Sequence, residues 1–296
     1  MEHSKVIAGR RQKTMQQRTK AWLALGGVGI LFTATSHKGS AVGKAQVQNT
    51  VLVATAQYGV LVPRIAWVSG KAWKNAHDRE VLFRAPHVFR TYNRTGQATG
   101  VPLRTGKLLP ADGEIPATLE TTPKIPETQS VSLLALSGEA TQPKRTVRSE
   151  PASVSDKAVV QQLLQTKGIR QTAPRYAPTL VTDLDGDGTV ERLINAQSNY
   201  EVVGVTLRHL YSIACLRTAS GRVVSLGSQI LVRGSEGQEE RYQIIGVADV
   251  DGDGKREIAI EFAPYEGSSL FLYKWDGTVV RSVLNTLTDG IGNAIH

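Results

Sequence analysis

The eleven residues Val181-Thr182-Asp183-Leu184-Asp185-Gly186-Asp187-Gly188-Thr189-Val190-Glu191 align without a gap with Val247-Ala248-Asp249-Val250-Asp251-Gly252-Asp253-Gly254-Lys255-Arg256-Glu257, an offset of 66 residues. One copy carries acids at Asp183, Asp185, Asp187 and Glu191, the other at Asp249, Asp251, Asp253 and Glu257. Four carboxylates so close in the chain repel strongly unless a cation sits among them. Those at the first, third and fifth loop positions converge on one point when the backbone coils tightly. Glycine at the sixth position, Gly188 or Gly254, permits that coil because it lacks a Cβ. The carbonyls of Thr189 and Lys255 offer one more oxygen each, and Glu191 and Glu257 close the shell directly or through water. Calcium takes about six to eight oxygens at roughly 2.3–2.6 Å, whereas magnesium keeps its waters and demands a rigid octahedron. The spacing therefore predicts Ca2+ as the ligand of both loops.

The flanks set the fold class. An EF-hand opens in the same way but needs a bidentate glutamate at position twelve, where this chain has Ile194 and Ile260. Both isoleucines lie in stretches that read as strands. Strands are expected at 179–182, 190–196, 202–216, 223–232, 242–250, 257–262, 268–275 and 278–284, divided by turn dipeptides such as Ser220-Gly221 and Asp276-Gly277. Further strands are expected within 47–68 and 79–92. From Gly96 to Lys144 the composition predicts loops with one embedded strand at 131–136. One helix is expected, with Ser155 as N-cap, Asp156 in the first turn, Val159, Val160, Leu163 and Leu164 on one face, and Gly168 as the stop. The fold class is mainly β: a β-rich domain over 45–137, a linker over 138–154, and a helix plus two-repeat domain over 155–296.

The paired Asp-x-Asp-Gly-Asp-Gly-x-x-Glu stretches, each between apolar strands, resemble the FG-GAP/VCBS-type repeats of integrin α-chain propellers and many exported bacterial proteins. The second copy continues as Glu257-Ile258-Ala259-Ile260-Glu261-Phe262 and Tyr265–Gly277, a tail that is also similar to such repeats. The resemblance covers about residues 175–285. It implies propeller-blade-like units with calcium in the strand-connecting loops. Two copies fall short of the roughly four blades a closed propeller needs. The expected architecture is a partial propeller, a small two-repeat domain, or blades completed by the front domain.

The N-terminus reads as an address. Arg10, Arg11, Lys13, Arg18 and Lys20 precede the uncharged run from Ala21 to Ala34. A basic segment followed by an apolar core of this length is a signal peptide, with small residues for cleavage at Ala34/Ser36 or Gly39/Ala41. The alternative is an uncleaved anchor with its N-terminus in the cytoplasm, the chain's only expected tie to a membrane. Either way residues beyond 41 are exported. The net charge of +9 is concentrated in the front half, where residues 1–36 hold six Lys/Arg and one acid, while 151–296 hold fourteen and seventeen. With much of the excess in a leader, nucleic acid is not an expected partner. The single cysteine, Cys215, excludes an intrachain disulfide and reads as a buried apolar residue. The six histidines lack zinc-ligand spacing, and Gly39–Ala45 misses the last Ser/Thr of a phosphate loop. No catalytic constellation emerges, so a non-enzymatic module binding an extracellular protein or glycan is expected. The alternative is an extracellular hydrolase using acids such as Asp78, Glu80, Asp112 and Glu114.

Overall fold

A computed structural model describes residues 50–68, 72–75, 83, 86–109, 118–129, 131–138, 145–170, 172–198, 209–232, 234, 240–264 and 268–285. The address segment 1–41 and the acids Asp78, Glu80, Asp112 and Glu114 lie outside the described residues.

The front half builds a barrel. Its strands are β1 (Thr50–Gln57), β2 (Val60–Val68), β3 (Ala72–Asn75), β4 (Val88–Tyr92), β5 (Ala98–Leu109), β6 (Thr118–Thr122) and β7 (Leu133–Ser137). Hydrogen bonding runs β1-β7-β4-β5-β6-β2 and returns from β2 to β1, closing six antiparallel strands, with β3 hung on β2. Closure leaves no free edge on those six strands. The β1–β2 turn is the pair Tyr58-Gly59, both with positive φ, as a two-residue hairpin with the sheet's own twist requires. Leu52, Ala54 and Ala56 join the barrel interior with Phe83, Phe89, Leu103 and Leu119. The intervening Val53 belongs to a different cluster. β1 is thus buried on both faces, which explains its near-continuous apolar sequence.

The expectation of loops from Gly96 to Lys144 is corrected by β5 and β6. Of the twelve residues of β5, Leu103 and Thr105 alone are buried. A strand with so small a buried face carries little period-2 apolar signal. The embedded strand does occur, as β7.

Behind the barrel come β8 (Arg148–Glu150), helix α1 (Val154–Thr166), β9 (Arg175–Tyr176), β10 (Thr179–Thr182), β11 (Glu191–Gln197), β12 (Leu210–Arg217) and β13 (Val223–Leu231). β8 lies inside the segment read as a linker and pairs with β10. The N-cap of α1 is Ser153, not Ser155. Ser153 Oγ accepts from Asp156 N at 3.2 Å, and Asp156 Oδ2 accepts from Ser153 N at 2.9 Å, a reciprocal capping box. At the other end Gly168 N donates to the Gln165 carbonyl and Ile169 N to that of Leu164, closing the last turn.

These strands form an antiparallel sheet in the order β13-β12-β11-β10-β8, with β9 also on β11. A further sheet follows, β14 (Arg241–Ala248), β15 (Glu257–Ala263), β16 (Ser269–Trp275) and β17 (Val280–Asn285), paired in simple sequence order. Each sheet therefore contains a four-strand antiparallel meander, β10–β13 or β14–β17, with the acidic loop between its first two strands.

The described residues belong to one compact unit, Lys44–His296, built in layers. Val160 and Leu164 of α1, with Ile169, pack on Ile194, Ile213 and Cys215 of the second sheet. The opposite face of that sheet, through Leu180, Leu193, Leu216 and Leu226, meets Ile244, Ile258, Ile260 and Phe271 of the third. The third sheet's far face, through Ile245, Ala259, Leu270 and Leu272, meets Val53, Tyr92, Leu134 and Leu136 of the barrel. Among the described residues the two meanders do not close into a propeller ring. Instead the helix and the barrel bury their outer faces, the role capping units serve in stacked repeats.

Polar clips hold the layers in register. The outer backbone edge of β14 is satisfied from both neighbours: Tyr242 N donates to Ser212 Oγ (2.9 Å), Asn195 Nδ2 donates to the Tyr242 carbonyl (2.9 Å), and Arg94 Nε from the β4–β5 turn donates to the Ile244 carbonyl (2.9 Å). On the barrel side, buried Arg64 donates to Thr55 Oγ1 at 2.9 Å and to the Ser268 carbonyl at 2.6 Å. Burial pulls this guanidinium down to about 10, with Glu261 working against the shift. Ser132 Oγ bonds Glu261 at 2.7 Å across the same seam.

Candidate metal centre

The two loops have the same backbone wiring, bond for bond. Asp183 Oδ1 accepts from Gly186 N at 2.6 Å and Oδ2 from Gly188 N at 3.1 Å. Asp249 repeats this with Gly252 N at 2.7 Å and Gly254 N at 3.0 Å. Asp185 Oδ1 accepts from Asp187 N at 3.4 Å, and Asp251 Oδ1 from Asp253 N at 3.3 Å. Asp187 Oδ1 accepts from Thr189 N at 2.6 Å, and Asp253 Oδ1 from Lys255 N at 2.9 Å. Glu191 Oε2 reaches back to Leu184 N at 2.9 Å, and Glu257 Oε2 to Val250 N at 2.8 Å. Each glutamate opens its strand and is buried at the loop base, whereas Asp187 and Asp253 are exposed at the tip. The coil needs glycine: Gly186 and Gly188 sit at φ 89 and 87, Gly252 and Gly254 at 77 and 84, a left-handed region that side chains disfavour.

Three acids in each loop bring an oxygen to a common point. Asp183, Asp185 and Glu191 form one group, and Asp249, Asp251 and Glu257 the other, with the ligand oxygens of each group all within 4.8 Å of one another. Oxygens bound to one ion at about 2.3–2.6 Å lie at most about 5 Å apart, so both groups fit a calcium ion. Asp187 and Asp253 fall outside these groups. Thr189 and Lys255 are fixed through their N–H groups. Ile194 and Ile260, where an EF-hand would place its last ligand, are fully buried in strands.

The electrostatics show the strain of four acids on one coil. Burial pushes the Glu191 carboxyl up to about 7, aided by Asp185, Asp187 and Asp183 and resisted by the Leu184 N–H. Burial pushes Glu257 up to about 8, with Asp251 adding to the shift. Asp249 is raised chiefly by burial as well. A dication among these oxygens favours their ionised forms and relieves the repulsion.

Three basic residues at the loops carry no signal in the linear spacing. Lys274 on β16 stands opposite Glu257 in the strand register. Its Nζ lies 2.8 Å from Asp251 Oδ2, 2.6 Å from Asp253 Oδ2 and 3.2 Å from Glu257 Oε1. Burial opposes the charge on Lys274, but these acids outweigh it and raise the ammonium above its ordinary range. Asp253 is correspondingly lowered: burial pushes it up, and the bonds from Lys274 and the Lys255 N–H pull it down further. Arg145 rests 3.5 Å from Asp183 Oδ1 and packs against Gly186. Arg256, 2% exposed, donates to Thr182 Oγ1 and to the Arg145 carbonyl, while its backbone N–H bonds the Leu184 carbonyl at 2.8 Å. The second loop is thereby tied to the base of the first. Asp185 Oδ2 also leans on the β16–β17 turn, 2.7 Å from where a Cβ on Gly277 would stand.

Cys215 is fully buried under α1, and burial pushes its thiol up to about 12, as expected of an inert core residue. Asn93 accepts from Thr95 N and Gln97 N, both at 3.0 Å, in the β4–β5 turn. Comparison of the chain with models of known families, with curated proteins and with solved structures gives no match in any of the three.

Proposed function

We propose that this chain is an exported calcium-binding β-protein that acts as a non-enzymatic module for an extracellular protein or glycan. The observation that carries the calcium part is the pair of identically wired loops whose carboxylate oxygens gather within 4.8 Å. The meanders that hold them are read as propeller-blade-like repeats of the FG-GAP/VCBS type. Support comes from the loop motif and from its place between the first and second strands of each four-strand unit. Export rests on the basic and apolar N-terminal pattern, and the binding role on the absence of a catalytic constellation in the sequence. In this reading calcium stiffens the strand connections and so fixes the surface presented to the partner.

Thermal unfolding tests the reading. A ligand held by the folded state alone, at about a hundred times its Kd, adds about 2.7 kcal/mol. For a unit of this size that raises Tm by roughly 5–10 °C. The expected result is such a rise in millimolar calcium over chelator. Identical melting in the two conditions contradicts the calcium reading.

A further inference from the structure

We infer that the two loops are chemically inequivalent: the Lys274 ammonium is the resident cation of the second loop, and the first is the loop that takes up a divalent ion. The inference rests on the calcium reading of the acid loops and deepens it by assigning the ion to one of them.

The geometry at the second loop is that of an occupied cage. Carboxylates from its third, fifth and ninth positions, Asp251, Asp253 and Glu257, surround one Nζ at 2.6 to 3.2 Å. Asp251 and Asp253 lie at charge-assisted hydrogen-bond distances from Nζ. Glu257 Oε1, at 3.2 Å, is within ion-pair reach of it but is buried without a hydrogen bond. The strand pairing holds the lysine in place, because Lys274 lies directly across β15–β16 from Glu257. Its side chain is 21% exposed, so it is largely withdrawn from water. Calcium entering this loop would have to expel the ammonium from two of its three candidate ligands, Asp251 and Glu257.

At the first loop the strand pairing sets no lysine against the glutamate. The β11–β12 ladder ends at Arg192 and Arg217, one residue short of Glu191, and the residue after Arg217 is Thr218. Its hydroxyl is engaged in the adjoining turn, within 2.8 Å of Ser220 Oγ and accepting from Arg222 N at 3.1 Å. Arg145 meets Asp183 at 3.5 Å and lies against the loop backbone at Gly186. Among the described residues Asp185, Asp187 and Glu191 make no ion pair with a lysine or arginine. One ammonium thus sits on three acids of the second loop, while at the first loop Arg145 reaches Asp183 alone and the remaining acids are left for an external cation.

Calorimetric titration of the full chain, stripped with chelator and then given calcium chloride, is the test. The expected stoichiometry is one ion per chain, falling to none in Asp185→Asn and rising to two in Lys274→Gln. Amide exchange supplies a second readout that needs no variant. Calcium should slow exchange at Gly186 and Gly188 at least tenfold and leave Gly252 and Gly254 within twofold. Two ions in the wild type, one surviving in Asp185→Asn, would overturn the inference while leaving the calcium reading intact. No binding in either the wild type or Lys274→Gln would remove the calcium reading, and this inference with it.

Discussion

The second and third sheets carry the same eleven-residue loop pattern, identical at seven positions, in different surroundings. Both place a coiled acidic loop between their first two strands, with matching hydrogen bonds from Asp183 and Asp249 inward to Glu191 and Glu257. One sheet is then covered by a helix and the other by a barrel. The glutamate of one loop faces Lys274 across its strand pair, whereas the β11–β12 ladder ends one residue short of Glu191. A loop motif therefore dictates its own backbone closely. It does not dictate the charge that reaches it from a strand seventeen residues downstream of Glu257, as Lys274 is.

The comparison is open to direct tests, beginning with the cover of the second sheet. Asp156 is fully buried and held by Arg192 at 2.7 Å and Arg217 at 3.0 Å. Removing its carboxylate in Asp156→Ala leaves two partly buried guanidinium groups without their acid and takes away the cap of α1. A loss of about 3–5 kcal/mol in urea unfolding is expected. A change under about 1 kcal/mol would mean that α1 is not a structural cover of that sheet.

Cavity variants probe both outer faces together. Leu164→Ala, on the inward face of α1, and Leu272→Ala, under the barrel, remove side chains with no solvent exposure. Each should lower stability by about 2–5 kcal/mol. Because the layers share cores, both should shift one common transition monitored by tryptophan emission and far-ultraviolet dichroism. Two separated transitions would show the barrel and the sheet pair melting independently.

Acid titration isolates the helix clamp. Burial pushes the Asp156 carboxyl up, but the bonds from Arg192 and Ser153 outweigh it and hold the group down at about 2. A folded-state value below the unfolded one, about 3.9, gives stability that is complete above pH 4 and lost as pH falls through 2. The contribution is on the order of 2 kcal/mol. Urea midpoints between pH 5 and 2 should show this decline, and Asp156→Asn should remove that share of it.

Glycine substitutions compare the loops themselves at the smallest scale. A Cβ on Gly188 or Gly254 meets nothing within 4 Å, and both have nearly the same φ. Alanine at either should cost about 1–2 kcal/mol through backbone strain alone, equally in the two loops. Gly186 and Gly252 should differ, since a Cβ at Gly186 collides with the Arg145 guanidinium while Gly252 is open. Equal effects of Gly186→Ala and Gly252→Ala would show that Arg145 yields freely.

The paired sheets were the legible part of the chain. β10 occupies 179–182 as expected, and β11 and β13–β17 fall within two residues of their expected bounds. Their faces are buried by large residues such as Leu193, Ile258 and Leu272, so the apolar signal is strong. The barrel was harder to read. Small or polar residues, Ala54, Ala56 and Thr105, fill parts of its interior, and β5 turns most of its length to solvent. Ring closure through β1–β7 and β2–β6 is a non-local pairing that leaves no periodic trace. The helix N-cap lies two residues before the expected Ser155 because Ser153 and Ser155 both precede Asp156, and the reciprocal bond with Asp156 selects Ser153. At the loops, the acids and glycines were visible from spacing alone. Lys274, Arg145 and Arg256 were not, since strand register and layer packing bring them there.

Crystals grown in calcium and measured for anomalous scattering at long wavelength give the most direct test of the cation cages. The expected map has a strong peak among Asp183, Asp185 and Glu191, about 2.3–2.6 Å from their oxygens. A map with no peak at either loop, from crystals holding millimolar calcium, would contradict the account at its base.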